Sequence, residues 1–275
     1  MGVNIALVAG TPHPSLRGVV LRYEGFTSHG GRPVVFRELP CTYVPIIIDL
    51  EDGWTVAHRE HVGAAPLRLR SFVAGVTDGP VLVGHAGSAR CLQVDLTALG
   101  ARRILGVPMG ELANRTVPIE DVLGALGDGL VQRIGEAAGW RERFAIVDAA
   151  LTARLRAAPA VDAGVAWSLG RIQSSGGAVA IGELATDLGW SHRRFIARYR
   201  DSVGLPPKRV SRIVRFEHVS ARLRSGADLA VAAAECGYFD QAHLAREVRE
   251  LAGITPTELR AGAVNSVQDS LVGSA

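Results

Sequence analysis

The chain has 275 residues, 48% of them hydrophobic and 21% charged, with a formal net charge of +3. That length accommodates two domains, and the composition excludes a disordered or low-complexity chain. Its three cysteines, Cys41, Cys91 and Cys236, lie far apart, which excludes a disulfide framework and a Cys-x-x-Cys zinc knuckle; buried free thiols in a reducing cytoplasm are expected.

The opening Met1–Ala9 has no basic flank and a short apolar run, so neither a signal peptide nor a membrane span is expected. From Met1 to about Val117, short β-branched or aromatic stretches alternate with Gly, Pro, Asp and Asn turns. Strands are expected at Val19–Tyr23, Pro33–Phe36, Tyr43–Leu50, Leu67–Val76, Pro80–Gly84 and Cys91–Leu96. Strands of this spacing form a small barrel or sandwich. Pro40 and Pro45 flank one of them, which marks it as an edge strand or shortens it. Four histidines fall here: His29, His58, His61 and His85. His58 and His61 are separated by an odd number of residues, so on a strand their rings point to opposite faces and make a poor metal pair. Structural or surface histidines are expected, with no metal, no cofactor and no catalytic residue.

Helical periodicity begins near Pro118. Proline suits a first helical turn, and Glu120 and Asp121 favour its positive end. Ile119, Val122, Leu123, Leu126, Leu130 and Ile134 mark one apolar stripe; after Gly139, Trp140, Phe144, Val147, Leu151 and Leu155 mark another. The two stripes predict a helical hairpin over 118–156, packed on the β-rich part or on a second subunit. Ala157–Ala163 is rich in small residues and broken by Pro159, which places a linker at 157–163. A helix from about Gly164 to Ser174 follows, and the chain beyond Ala261 reads as a flexible tail.

The stretch from Ile181 to Arg260 repeats itself. Gly189 and Gly237 lie 48 residues apart, whereas Ser191 and Asp240, Phe195 and Leu244, Tyr199 and Val248, Gly204 and Gly253, and Pro207 and Pro256 all lie 49 apart. One extra residue therefore sits in the second turn, and a register sustained through caps, core positions and turns is a true repeat. Each glycine ends a helix where a left-handed residue is needed. Ser191 and Asp240 are N-caps for the next helix. Phe195 and Tyr199, like Leu244 and Val248, are four apart and share one face, leaving the opposite face free for a DNA groove. Charge supports that reading. Residues 1–164 hold 16 arginines against 16 acids, whereas Ser191–Arg215 holds eight basic residues and one acid, Asp201. Cations clustered on a helix-turn-helix form a phosphate footprint.

These residues carry a resemblance. Gly237-Tyr-Phe-Asp240-Gln-Ala-His-Leu244-Ala-Arg246, then Gly253-Ile-Thr-Pro256 and Leu259-Arg260, resemble the AraC/XylS family of bacterial transcription regulators over about 164–261. The first unit looks like the same motif but departs from it at Ala197, where arginine is common. The resemblance implies an all-α domain of seven helices with two helix-turn-helix units and a linking helix. Before it, the β-rich part at 1–117 is similar in layout to the cupin-like sensor domains of such regulators. The whole is then an α+β chain: a small β-barrel or sandwich with a helical hairpin, and a C-terminal DNA-binding domain.

Two helices joined by Pro207–Leu223 could enter successive major grooves of double-stranded DNA, about 34 Å apart. Arg193, Ile196, Ala197 and Arg200 then fall on the groove side of the first, and Gln241, Ala242, Ala245 and Arg246 on that of the second. The resemblance supports base reading at Arg193, Ile196, Ala197, Gln241, Ala242, Ala245 and Arg246. Arginine can bond guanine O6 and N7 together, and glutamine adenine N6 and N7. Arg194, Arg198, Arg200, Lys208, Arg209, Arg212 and Arg249 are assigned to phosphate, which sets affinity and register. The expected function is a cytoplasmic, sequence-specific transcriptional regulator. A small-molecule effector of the N-terminal domain, RNA polymerase and a second copy of the chain are further candidate partners, and no membrane is expected. The competing readings are a cupin-type metalloenzyme carrying a DNA-binding module, and an N-terminal part that only pairs subunits.

Overall fold

A computed structural model describes residues 4–58 and 65–261. Among the described residues, ten strands form two antiparallel sheets. The first sheet holds six strands: β1 (Asn4–Gly10), β2 (Val20–His29), β4 (Tyr43–Asp49), β7 (Phe72–Ala74), β9 (Ser88–Thr97) and β10 (Thr116–Pro118), in the order β1-β2-β9-β4-β7-β10. The second holds β3 (Val34–Glu38), β5 (Trp54–His58), β6 (Leu67–Leu69) and β8 (Val81–His85), in the order β3-β8-β5-β6. The inner faces meet over a core of Phe26, Phe36, Trp54, Val56, Phe72, Val81, Ala89 and Cys91. The large sheet is buried on its other face too. On β4, Val44, Ile46 and Ile48 turn away from the sandwich interior and join a second core shared with helices, so the strand reads as a nearly unbroken apolar run.

Several expectations are corrected. The strand Tyr43–Leu50 is no edge: β4 lies between β9 and β7. Its second neighbour pairs only with Ile46 and Ile47, which leaves Pro45 outside that ladder. Leu67–Val76 is not one strand but two, β6 and β7, in different sheets. Three strands lie outside the expected set: β1, β5 and β10. The β-rich segment up to Val117 also contains two helices, α1 (Ala98–Leu105) and α2 (Met109–Leu112). Thr97 caps α1 by accepting from Gly100 N–H, and Gly106 ends it at φ 77°. The first helical stripe is split into α3 (Ile119–Leu123) and α4 (Ala125–Glu136) by Gly124 at φ 55°. Leu126, placed on that stripe, is 42% exposed.

Helix α5 (Trp140–Ala157) buries Phe144, Val147 and Leu151. It lies on the outer face of β1 and β2. A Cβ on Gly25 would stand 2.6 Å from the Trp140 ring, so only glycine admits the helix this close. Tyr23 Oη donates to Asp148 Oδ1 on α5 at 2.9 Å.

Seven helices follow among the described residues: α6 (Ala163–Ser174), α7 (Ile181–Asp187), α8 (His192–Val203), α9 (Pro207–Arg224), α10 (Leu229–Glu235), α11 (Gln241–Ala252) and α12 (Pro256–Arg260). The fold is thus an antiparallel β-domain followed by a helical domain. The two are joined by more than the chain. Phe195, Tyr199, Val203 and Ile213 of α8 and α9 share one apolar core with Ile104 and Met109 of α1 and α2. Leu39, after β3, is buried among Phe216, Val219 and Leu251. The expected tail at 262–275 and the His61 position lie outside the described residues.

Candidate nucleic-acid interface

The two helix-turn-helix units, α7–α8 and α10–α11, are built alike. In the first, Gly189 sits at φ 63°, and in the second Gly237 sits at φ 73°. Trp190 N–H donates to Ala185 O and Tyr238 N–H to Ala233 O, both at 2.9 Å. This six-to-one bond closes the helix end that glycine permits. Ser191 Oγ then accepts from Arg194 N–H at 3.3 Å, and Asp240 Oδ1 from His243 N–H at 2.6 Å. Trp190 and Tyr238 are equivalent, and so are Ser191 and Asp240. The extra residue in the second turn is therefore Phe239, whose side chain is 93% exposed. Spacing locates the insertion but not the exposure of this side chain; an aromatic in the turn is the signal the sequence offers.

Phe195, Tyr199, Leu244 and Val248 are fully buried. Their helices consequently turn the other face to solvent. Arg193, Ala197, Gln241, Ala242 and Arg246 are exposed there, and Ile196 and Ala245 are half-buried. Arg194 lies over the Trp190 ring at 4.9 Å, a cation–π contact that holds its guanidinium near the turn. Arg198, Lys208 and Arg249 are exposed.

Two of the cations assigned to phosphate, Arg209 and Arg212, are paired within the protein, while a third, Arg200, is exposed beside α2. Arg212 Nε pairs with buried Glu247 at 3.2 Å and its Nη2 with Glu250 at 2.8 Å. Glu247 also accepts from Tyr238 Oη at 3.1 Å. Arg212 thus ties α9 to α11 and the second turn, a task that local spacing did not reveal. Its bonds to Glu250 lead in raising its pKa further. Arg209 Nη1 pairs with Asp78 of the β-domain at 2.9 Å. Arg200 lies against Gly110 of α2, where a Cβ would be 3.4 Å from its Cγ.

Further contacts clasp the helical domain to the β-domain. Thr42 N–H and Oγ1–H donate to Glu217 Oε1 on α9 at 2.8 and 3.1 Å. Arg102 on α1 pairs with Asp201 on α8 at 3.3 Å. Burial lifts the Glu217 carboxyl to about 6 from its ordinary 4.5, against the lowering effect of the Thr42 bonds.

Residues 184–262 match a family described as a helix-turn-helix domain. The C-terminal part is an AraC-type helix-turn-helix domain. The chain is accordingly a DNA-binding regulator of transcription. Residues 10–118 match a domain of unknown function (DUF6597). No curated protein matches the chain. Among solved structures it is similar to ToxT from Vibrio cholerae bound to an unsaturated fatty acid, at 8% identity and a TM-score of 0.49, over 91% of this chain and 96% of that one. Another ToxT crystal form aligns at 8% identity and a TM-score of 0.47, over 87% and 97%.

The AraC-type domain accounts for the helical half; the β-domain presents cavities. Its histidines stand apart. His58 Nε2 is 2.8 Å from Thr116 Oγ1, and His85 is buried edge-on to Trp54, where burial lowers its pKa. Among the described residues no three His, Cys, Asp or Glu side chains gather as a metal site would require. No described helix is long and apolar enough to cross a membrane. The cysteines are free, Cys91 buried and Cys41 and Cys236 half-buried. One cavity lies between the two sheets, and another, of about 330 Å³, lies between the β-domain and α9.

Proposed function

We propose that the protein reads a specific DNA site with α8 and α11 in successive major grooves, under control of a small molecule held in the β-domain. The carrying observation is the doubled unit with two outward recognition faces. On this reading Arg193, Ile196, Ala197, Gln241, Ala242, Ala245 and Arg246 meet base edges. Phe239, beside Gln241, is added as an apolar contact suited to a thymine methyl. Arg194, Arg198, Lys208 and Arg249 meet phosphate. Arg200, exposed on α8, joins them; Arg209 does so only on leaving Asp78, and Arg212 holds α9 against α11. The division at 157–163 into a sensing part and a reading part belongs to the same proposal.

The test is selection of bound duplexes from a random pool, followed by affinity measurement against scrambled duplexes at physiological salt. A preference of roughly a thousandfold or more is expected of a specific reader; equal affinity would refute sequence reading. Two copies of that two-groove site in the selected fragments would show that the protein acts as a pair. Control by a small molecule is tested separately, by calorimetry against a metabolite panel.

A further inference from the structure

We propose that the cavity between the two sheets takes an uncharged, largely apolar small molecule about the size of one aromatic ring. The proposal rests on the reading that the β-domain holds an effector, and it adds the chemical class. The cavity is about 80 Å³, against roughly 10–15 Å³ for a single water on the same measure. Its wall is mostly apolar: Ile47, Trp54, Val56, Phe72, Val81 and Val83 contribute. No lysine or arginine is among the described residues that line it. A carboxylate would lose its hydration there without a counter-ion, and the wall's acid, Glu38, would repel it.

The wall still supplies polarity. Gln93 is buried and its Nε2 donates to Asp95 Oδ1 at 2.8 Å. That bond orients the amide and leaves Oε1 to accept from a hydroxyl or N–H of the ligand. One such group on an apolar body gives orientation at little desolvation cost.

The neighbouring cavity against α9 differs in kind. Arg22, Asp95, Glu217 and Arg224 line it, but Arg22 is paired with Asp95 at 2.5 Å and Glu217 is held by Thr42. The two cavities share Leu39 and Cys41. Leu39 is also part of the apolar core of the second helix-turn-helix unit, and Thr42, next to Cys41, holds α9. A molecule in the inner cavity therefore presses on the wall that carries the helical domain.

The test is calorimetry on the full chain at neutral pH with three molecules of matched size: 4-methylphenol, 4-methylbenzoate and 4-methylbenzylamine. The phenol should bind one-to-one and at least tenfold more tightly than either ion. Ala74→Leu, which fills the cavity, should abolish that binding with the circular dichroism spectrum unchanged. Gln93→Leu, which keeps the cavity, should erase the preference for 4-methylphenol over toluene. Either ion binding as tightly as the phenol overturns the chemical class while leaving the effector site standing. Binding of none of the three overturns the cavity as the effector site. Phenol binding that survives Ala74→Leu in folded protein places it elsewhere and overturns the proposal.

Discussion

Arg246 and Arg194 carry the same charge in different surroundings. Arg246 is exposed on the outward face of α11 beside Ala242 and Ala245, while Arg194 rests on Trp190 at the start of α8. Arg246→Ala should cost about 1–3 kcal/mol on the selected site and relax preference at one base pair; equal losses on selected and scrambled duplexes would remove it from base reading. Arg194→Ala should weaken both duplexes alike and reduce the salt slope by about one, which a titration between low and physiological salt measures. Phe239→Ala should leave thermal stability unchanged, because the ring is almost wholly exposed, yet reduce affinity for the selected site severalfold. Replacing one thymine of that site by uracil should reproduce the loss and not add to it. Additive losses would show that the ring does not meet the methyl. Of these three side chains only Phe239 was overlooked in the sequence, since exposure of a turn residue depends on where the turn is carried.

At the scale of elements, α9 bears the most. It buries Val210, Ile213, Val214, Phe216, Val219 and Leu223 along its length, and presents Glu217 to Thr42. The carboxyl titrates near 6 in the fold and near 4.5 when free, so the folded chain binds the extra proton between those values. Stability linked to this group is fully present below pH 4.5 and lost as pH rises through 6, on the order of 2 kcal/mol. Glu217→Gln should flatten the melting temperature between pH 5 and 7; an unchanged slope would assign the dependence to another group. The α9 helix was legible in outline, as the segment joining two reading helices. Its clasp on the β-domain was not, because Thr42 and Glu217 are 175 residues apart.

At the scale of the whole molecule, the core does not stop where the β-domain ends. Ile104 and Met109 are buried with Phe195 and Tyr199, and Leu39 with Phe216. The chain should therefore unfold in one calorimetric transition, and Leu39→Ala should lower its stability by about 2–5 kcal/mol. Two separated transitions would show that the halves melt independently. The helix-turn-helix pair was readable from the residues alone because its signals are local. Left-handed glycines, side-chain caps and apolar residues four apart need no distant partner to act. The β-rich character was readable for the same reason, but the division of Leu67–Val76 between two sheets was not. Helices α1 and α2 were hidden too, in a stretch whose short apolar runs suit strand or helix equally until packing chooses. Only the folded chain decided which cations are paired: Arg212 and Arg209 meet acids contributed by distant segments, and pairing across such separations is settled by tertiary contact, not by neighbours in the sequence.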